Sequence, residues 1–367
     1  MQIRAAVTRA KASPMSLETI DIESPRDDEI LVRVVATGIC HTDIAMRDQT
    51  YPVPQPIVLG HEGSGIVEQV GRGVTKVAPG DHVVMSFNSC GHCPTCNQHE
   101  PNYCHHFFEH NFAGCRGDGS SGLSKAGEHI HGNFFGQSSF ANYALCHERN
   151  VVKVRPDAPL ELLGPLACGI QTGAGAVINS LKLRPGDSLA VFGVGSVGLS
   201  AIMAARVAGA TTVIAVDMLE ERLELALAVG ATHSLQPKDK NIVEEIMKIT
   251  GSGVKFAFET TARPAVIRQA MESLAPRGTL GIVGASTLDT EITFNAMHIM
   301  TAGRKLQGIV EGDSTPEVFI PQLIDLYLQG RFPFDKLVKF YPFDRINDAI
   351  HDAETGRAVK PIIRMGV

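Results

Sequence analysis

Four cysteines lie close enough together in the sequence to bind one metal ion or cluster. They follow the spacing C-x2-C-x2-C-x7-C in the segment CGHCPTCNQHEPNYC, at Cys90, Cys93, Cys96 and Cys104. Such a run can form disulfides, hold an iron–sulfur cluster or close a shell of four thiolates around a structural metal. The spacing alone leaves all three alternatives open.

Three more residues are of types that bind metal ions and form a second candidate set of ligands. Cys40 stands in ATGICHTD, His61 in GHEGSG and Cys168 in PLACGIQTG. Taken singly, each is typical of a buried thiol or a turn histidine. Together, two thiolates and one imidazole make a Cys2His set, which is one ligand short of a tetrahedron. A catalytic zinc keeps that fourth position for water or substrate.

A glycine-rich turn predicts a dinucleotide site. Gly193, Gly195 and Gly198 form G-x-G-x-x-G between the predicted strand SLAVFGV and the predicted helix SVGLSAIMAARVAG. The glycines permit a tight turn, close approach of a pyrophosphate and close packing of helix on strand. Asp217 ends the next predicted strand, TTVIAVD, where an acid binds the ribose of NAD and repels the phosphate of NADP. Arg222 either covers the adenosine ribose or is a solvated helix charge.

The elements that must position these residues change in type along the chain. Residues 1 to about 165 contain short alternating runs such as EILVRVVATG and GSGIVEQVG, which predict irregular β structure. From about 170 to 305, helices alternate with strands, which predicts an α/β fold with a doubly wound parallel sheet. Its six predicted strands are SLAVFGV, TTVIAVD, THSL, VKFAFET, GTLGIVGA and KLQGIV. The terminal KPIIRMGV is a further predicted strand that rejoins the first domain.

Composition narrows the class of protein. The 367 residues are 44% hydrophobic and 20% charged, with a net charge of -6, as in an ordinary globular protein. This negative net charge does not favour binding to nucleic acid or to an anionic membrane, which are themselves negatively charged. The segment MQIRAAVTRA has no apolar signal region, so we expect a cytoplasmic location, where structural disulfides are rare. Cys115 and Cys146 are interpreted as semi-buried thiols.

The run G-H-E-x2-G-x5-G-x2-V, which begins at Gly60, resembles the signature of the zinc-containing medium-chain alcohol dehydrogenases. Cys40, Cys168, the four-cysteine run and the glycine turn occur in that family's order, so the resemblance covers essentially the whole chain. It implies a GroES-like catalytic domain at residues 1–168 and 306–367, with a structural zinc lobe at 90–104. It also implies a Rossmann domain at 169–305 that binds NAD.

The resemblance also implies roles for individual residues, with two zinc ions per chain. Thr42 would take the substrate proton, Asp43 would orient the zinc ligand His61, and Glu62 would approach the zinc as ligands exchange. His41 and Lys360 would contact the cofactor pyrophosphate. The implied metal ligands are Cys40, His61 and Cys168 for catalytic zinc, and Cys90, Cys93, Cys96 and Cys104 for structural zinc.

The sequence departs from the family at one position. Many members carry a histidine five residues after the first cysteine ligand, which passes the substrate proton to solvent. Here that position is Ala45, preceded by Ile44, and neither side chain can carry a proton. Our hypothesis is that the proton leaves through Thr42, the cofactor ribose hydroxyls and ordered water.

The substrate expectation rests on the segment GNFFGQSSFANYALCHERNVVKV, which resembles bacterial aryl-alcohol dehydrogenases of the benzyl alcohol type. We therefore expect reversible oxidation of a primary aromatic alcohol by NAD, in a homodimer or homotetramer. Alternatives are a glutathione-dependent formaldehyde dehydrogenase, an aliphatic alcohol dehydrogenase and a non-catalytic nucleotide-binding relative. Candidate residues for the wall of the substrate site are Phe87, Met297, Ile299 and Met300.

Overall fold

The chain divides into two units in a computed structural model that describes residues 1–238 and 241–366. The first unit comprises residues 1–168, 315–328 and 334 onwards, and the second comprises 169–314 and 329–333. The first boundary coincides with the predicted one. The second lies at 314 rather than 305, because the strand at 305–308 pairs into the sheet of the second unit, and residues 329–333 of the predicted segment 306–367 also belong to that unit.

The first unit is built mainly from short β-strands. The longest, β3, is buried over most of its ten residues, as its run of Val, Ile and Ala predicts. β1 pairs with β2 and β4, while β3 pairs with β5 and β9. The first ten strands are β1 (Gln2–Thr8), β2 (Ser16–Ile22), β3 (Glu29–Gly38), β4 (Ile57–Val58), β5 (Glu62–Val70), β6 (His82–Met85), β7 (Leu123–Lys125), β8 (Glu128–Ile130), β9 (Tyr143–His147) and β10 (Val151–Lys153).

The second unit contains the predicted parallel sheet, and all six predicted strands are present. The strand order is β13-β12-β11-β14-β15-β16, which is the Rossmann order, and every neighbouring pair is parallel. The strands are β11 (Ser188–Phe192), β12 (Thr212–Val216), β13 (His233–Leu235), β14 (Val254–Glu259), β15 (Leu274–Ile282) and β16 (Lys305–Gly308).

The last two strands return to the first unit, as predicted for the terminal segment. β17 (Val338–Pro342) pairs with β18 (Lys360–Arg364), and β18 also pairs with β3. They complete a sheet with the order β10-β6-β5-β3-β18-β17, on which β9 joins β3. The C-terminal strand therefore lies in the interior of the sheet that carries the segments around Cys40 and His61.

Twelve α-helices occur in the described residues. The longer ones of the second unit follow the predicted amphipathic segments, and α6 begins directly after the glycine turn. The helices are α1 (His41–Arg47), α2 (Pro94–Asn97), α3 (Phe107–Phe112), α4 (Leu160–Leu163), α5 (Gly169–Gly175), α6 (Ser196–Ala208), α7 (Glu220–Val229), α8 (Ile242–Thr250), α9 (Pro264–Glu272), α10 (Ala296–Ala302), α11 (Pro316–Leu328) and α12 (Ile346–Glu354).

None of the described helices is by itself long and apolar enough to cross a membrane. One bent pair, 160–167 with 169–180, reaches the required length and composition only when its two members are taken together.

Candidate active site

Three separate segments bring ligand-type side chains to one point. Cys40 directly precedes α1, His61 directly precedes β5, and Cys168 is the residue before α5. One ligand atom each from Cys40, His61, Glu62 and Cys168 lie within 4.8 Å of one another. The fold therefore assembles the Cys2His set and adds a carboxylate oxygen beside it.

One ring nitrogen of His61 has no hydrogen-bond partner among the described residues. Nε2 is buried without a hydrogen-bond partner among the described residues, whereas Nδ1 lies 2.8 Å from Oδ1 of Asp43. Because a carboxylate accepts, Nδ1 carries the hydrogen and Nε2 keeps its lone pair. A buried polar atom without a partner is costly, and a metal ion would satisfy it. Two thiolates and this imidazole are zinc ligands, so the residues fit a zinc ion.

Asp43 orients the candidate metal ligands Cys40 and His61 through hydrogen bonds. Its fully buried carboxylate accepts hydrogen bonds from the backbone N–H groups of Cys40 at 3.0 Å and Gly60 at 3.1 Å, as well as from His61. The bond to Cys40 belongs to a capping box at the start of α1. One carboxylate thus positions two of the three ligands, as expected of a group that supports a metal site.

Charge around the ligands favours a cation. The hydrogen bond with Cys168 holds the pKa of the Cys40 thiol well below its usual value, although burial acts in the opposite direction. Burial lowers the pKa of His61, but Asp43 and Cys40 together raise that pKa well above its usual value. The negative groups thus stabilise positive charge at this point, as a metal site requires.

Glu62 has a buried cationic partner in Lys360. The Lys360 ammonium lies 2.9 Å from each carboxylate oxygen and donates to the carbonyl of Ile39 at 3.2 Å. Their side chains are 0% and 1% exposed. Gly38 leaves room for the carboxylate, since a Cβ there would lie 2.1 Å from Oε2 of Glu62. The predicted contact of Lys360 with the cofactor pyrophosphate stays a prediction.

Helix α1 carries the other predicted catalytic positions. Oγ1 of Thr42 lies 3.8 Å from Sγ of Cys40, and the Thr42 side chain is partly exposed. His41, the first residue of the helix, is exposed. Ala45 is buried beside Ile44, so apolar side chains occupy the relay position. The roles of Thr42 and His41 stay predictions.

The four cysteines of the lobe converge without forming disulfides. None of the eight cysteines forms a disulfide, and the sulfur atoms of Cys90, Cys93, Cys96 and Cys104 lie within 4.8 Å of one another. The Cys90–Cys96 and Cys93–Cys104 sulfur pairs are separated by 3.9 and 4.0 Å. Two thiolates on one tetrahedral zinc lie about 3.8 Å apart, whereas disulfide sulfurs lie about 2.05 Å apart. The arrangement fits a single ion.

Backbone N–H groups point at the same sulfur atoms. The N–H of Cys90 lies 3.3 Å from Sγ of Cys104, and that of Cys93 lies 3.3 Å from Sγ of Cys90. A hydrogen bond with Thr95 lowers the pKa of Cys93 to about 5, whereas burial raises the pKa of Cys104 to about 12. A bound cation would therefore be needed to ionise all four thiols together.

The glycine turn of the second unit has the geometry of a dinucleotide site. β11 ends at Phe192, and α6 begins at Ser196 with Gly195 as its N-cap. A Cβ on Gly198 would lie 2.0 Å from the carbonyl oxygen of Gly193, so only glycine allows this packing. The N-terminus of α6 then offers free N–H groups to a pyrophosphate.

Asp217 directly follows β12, beside the glycine turn. Its Oδ2 accepts a hydrogen bond from the N–H of Val194 at 2.8 Å, and its Oδ1 accepts one from Leu219 at 2.9 Å. Each carboxylate oxygen can accept a further hydrogen bond. Arg222 follows on α7, with a guanidinium nitrogen 4.0 Å from the position of a Cβ on Gly195. The ribose contacts of Asp217 and Arg222 stay predictions.

Sequence reasoning missed two supports of His61. The buried Gln137 donates from Nε2 to the carbonyl of His61 at 2.9 Å and accepts from the N–H of Gly63 at 3.0 Å. Phe134 and Phe135 pack on the imidazole, with ring centroids 5.6 and 4.6 Å away. The available signal was a glutamine within the aromatic-rich run FFGQSSF, because a buried amide must find hydrogen-bond partners.

Comparison with known proteins covers both units. Residues 26–156 match the alcohol dehydrogenase GroES-like domain, and residues 196–329 match the zinc-binding dehydrogenase family. A geraniol dehydrogenase of Castellaniella defragrans is 47% identical over 98% of this chain and 97% of its own length.

Two crystal structures match both chains over their full length. Benzyl alcohol dehydrogenase from Acinetobacter calcoaceticus is 50% identical, with a TM-score of 0.97. An alcohol dehydrogenase zinc-binding domain protein from Burkholderia ambifaria is 55% identical, with a TM-score of 0.99. The donor sets and the glycine turn are those that such enzymes use for zinc and NAD. This chain belongs to the zinc-dependent medium-chain alcohol dehydrogenases.

Proposed function

We propose that this enzyme uses NAD to oxidise primary aromatic alcohols of the benzyl alcohol type, reversibly, to aldehydes. The observation that carries the proposal is the convergence of Cys40, His61 and Cys168, which leaves a tetrahedral ion one position for a substrate oxygen. The benzyl preference is supported by 50% identity to benzyl alcohol dehydrogenase over both full chains.

Cys40, His61 and Cys168 would hold the catalytic zinc, and the four cysteines of the lobe a second, structural zinc. When bound, the catalytic zinc supplies a Lewis acid that lowers the pKa of the alcohol hydroxyl. Asp43 fixes the tautomer of His61 through Nδ1. Lys360 donates to both oxygens of Glu62 at 2.9 Å, and the approach of Glu62 to the zinc during ligand exchange stays a prediction.

Thr42 would receive the substrate proton, and its hydroxyl 3.8 Å from Sγ of Cys40 supports this role. The next positions along the helix, Ile44 and Ala45, carry no ionisable group. We therefore propose that the proton leaves through Thr42, the ribose hydroxyls of the cofactor and water. Asp217 would accept hydrogen bonds from the adenosine ribose, which favours NAD over NADP.

An aromatic cluster packs on one side of the His61 imidazole through Phe134 and Phe135 and supports the benzyl preference. Its contacting rings lie 5.0 to 6.4 Å apart by centroid and are tilted or edge-on, an arrangement that favours further aromatic contacts. The predicted wall residue Phe87 is a member, packed on Phe107 at 5.9 Å. The full cluster consists of Phe87, Phe107, Phe112, Phe134 and Phe135.

The other predicted wall residues lie on α10 in the second unit. Met297 and Met300 are 60% and 65% exposed, and Ile299 packs partly against the core of that unit. Their contribution to the substrate site stays a prediction.

A second candidate is a primary allylic alcohol, because a geraniol dehydrogenase is 47% identical over nearly the whole chain. Geraniol and benzyl alcohol share one feature, a primary carbinol carbon attached to an unsaturated carbon. Oxidation of either gives a conjugated aldehyde. The two candidates therefore require the same metal and cofactor chemistry and differ only in the shape of the apolar part.

The test compares kcat/KM for NAD-linked oxidation of benzyl alcohol, geraniol, cyclohexylmethanol and ethanol, with zinc measured on the same preparation. Cyclohexylmethanol is the matched control, because it has the size of benzyl alcohol without the aromatic ring. We expect two zinc ions per chain and the highest kcat/KM for benzyl alcohol. Preference for geraniol, ethanol or a glutathione–formaldehyde adduct would replace the aromatic assignment. One zinc and no turnover would refute the catalytic site.

We also propose that the enzyme is a homodimer or homotetramer. β16 is one of the two edge strands of the parallel sheet, and its Leu306 is 46% exposed. An exposed edge strand can pair with that of a second copy. Light scattering coupled to size-exclusion chromatography would give the mass directly, and a monomer would contradict the proposal.

A further inference from the structure

A buried carboxylate at the end of β14 has no part in the chemistry described above. Glu259 is the last residue of β14, is fully buried and forms no ion pair among the described residues. Its Oε1 accepts hydrogen bonds from the N–H of Thr261 at 2.6 Å and from the hydroxyl of the same residue, and its Oε2 accepts one from the N–H of Ala262 at 3.2 Å. A buried charge is costly unless hydrogen bonds compensate it. The bonds of this carboxylate all go to one turn, residues 259–262.

This turn lies where the order of the parallel sheet reverses. β11 pairs with β12 on one side and with β14 on the other, so the chain leaves β11 and β14 at neighbouring points of the same edge. Ligands of open parallel sheets bind in the crevice at this reversal, outside the carboxyl ends of the strands. Glu259 is paired with Phe192, and the glycine turn begins at the next residue, Gly193. The 259–262 turn therefore lies beside the glycine turn.

Two threonines of the 259–262 turn contact the glycine turn directly. Oγ1 of Thr260 lies 2.9 Å from the carbonyl oxygen of Gly193 and 3.1 Å from that of Phe192, and these two acceptors share its one hydrogen. A Cβ on Gly193 would lie 2.5 Å from Oγ1 of Thr260 and 2.7 Å from Cγ2 of Thr261. Because the hydroxyl of Thr261 is bonded to Glu259, the carboxylate also fixes the methyl group that lies against Gly193.

The backbone of the 259–262 turn depends on the same carboxylate. Ala262 has a φ of +59°, in the left-handed region that few residues other than glycine adopt. Glu259 accepts the N–H of this residue. On the other side, a Cβ on Gly284 would lie 2.5 Å from the nitrogen of Ala262, so the turn is closely packed there as well. A strained conformation persists only where its surroundings hold it.

We propose that Glu259 is a positioning residue for the binding of NAD. By holding the 259–262 turn, it fixes Thr260 and Thr261 against the glycine turn, whose N–H groups must fit the pyrophosphate. A binding loop that is already in its bound shape loses less free energy when the ligand binds. Glu259 thus acts on the cofactor through its neighbours, and this inference rests on the proposed dinucleotide site at the glycine turn.

The experiment measures the Kd of NADH by fluorescence titration of the zinc-loaded enzyme without alcohol, so the substrate preference does not enter. Glu259→Gln has the same shape but only one acceptor oxygen, and an amide N–H must then face the N–H of Thr261 or Ala262. We expect the Kd to rise roughly fivefold or more, with two zinc ions retained. Glu244→Gln is the control, an exposed glutamate on α8 of the same unit, and should leave the Kd unchanged.

Thr260→Val tests the route by which Glu259 acts, because it removes the hydroxyl that bonds the carbonyl of Gly193. It should weaken NADH binding by itself and add little in the Glu259→Gln background, since residues that act on one turn are coupled.

A Kd within about twofold of wild type in folded Glu259→Gln would overturn the proposal, because a purely structural role lowers the melting temperature without changing cofactor affinity. Additive effects of the two substitutions would also overturn it. If Glu259→Gln does not fold, Thr260→Val decides alone, and an unchanged Kd there refutes the inference. Absence of NADH binding by the wild type would overturn the dinucleotide site itself, and this inference with it.

Discussion

Replacing Asp43 by asparagine tests whether one buried carboxylate holds the zinc ligands. Oδ1 of Asp43 accepts hydrogen bonds from the N–H of Gly60 and from Nδ1 of His61, and Oδ2 accepts one from the N–H of Cys40. Asparagine has one acceptor oxygen and an NH2 group, so in either orientation at least one N–H faces another donor. A buried unsatisfied donor costs about 1–3 kcal/mol, which corresponds to a roughly 5- to 150-fold loss of zinc affinity at this site.

The assay is competition for zinc with a chelator of known affinity, in which the two sites are counted separately. The four-cysteine site should keep wild-type affinity in Asp43→Asn and so serves as an internal control. Asp48→Asn is the matched variant, because Asp48 caps the other end of α1 and pairs with Arg47 near the surface. Catalytic-site affinity within twofold of wild type in Asp43→Asn would refute the reasoning.

Three further substitutions have distinct expected outcomes. Ala45→His should raise turnover at low pH by restoring a proton carrier, and an unchanged pH–rate profile would refute the relay hypothesis. Lys360→Met leaves Glu62 as an uncompensated buried charge, so urea unfolding should show a loss of about 3–5 kcal/mol; a loss below 1 kcal/mol would contradict the buried pair. Cys96→Ser should lower the zinc content from two ions to one per chain and lower the melting temperature. The control Cys115→Ser should change neither quantity. Two zinc ions retained in Cys96→Ser would exclude Cys96 as a ligand.

The Rossmann unit was predictable because its signals are local. Each strand from Ser188–Phe192 onwards is a short apolar run followed by a helical pattern, and the glycine turn joins one such pair. Parallel pairing then follows from the alternation itself. The predicted segment 306–367 of the first domain differed from the structure, in which β16, the residues after it up to 314 and residues 329–333 belong to the second unit.

The first unit was harder to predict because its pairings join distant residues. β4 is two residues long and is a strand because Val58 pairs with Val7 and Ile57 pairs with Thr8. The convergence of Cys40, His61 and Cys168 was inferred from family resemblance, since no periodicity brings those segments together. The Lys360–Glu62 pair joins residues 298 positions apart, and no pattern in the sequence indicates that partnership.

The position of β18 has a consequence for the order in which the enzyme is completed during translation. Cys168, the last of the three ligands to be made, leaves the ribosome about 190 residues before Lys360, which is roughly 10–40 s at usual synthesis rates. The strands of the second unit, 188–308, emerge within that interval and pair only with each other. The nucleotide-binding unit can therefore finish folding while the metal site still awaits the strand that pairs with β3 and neutralises Glu62.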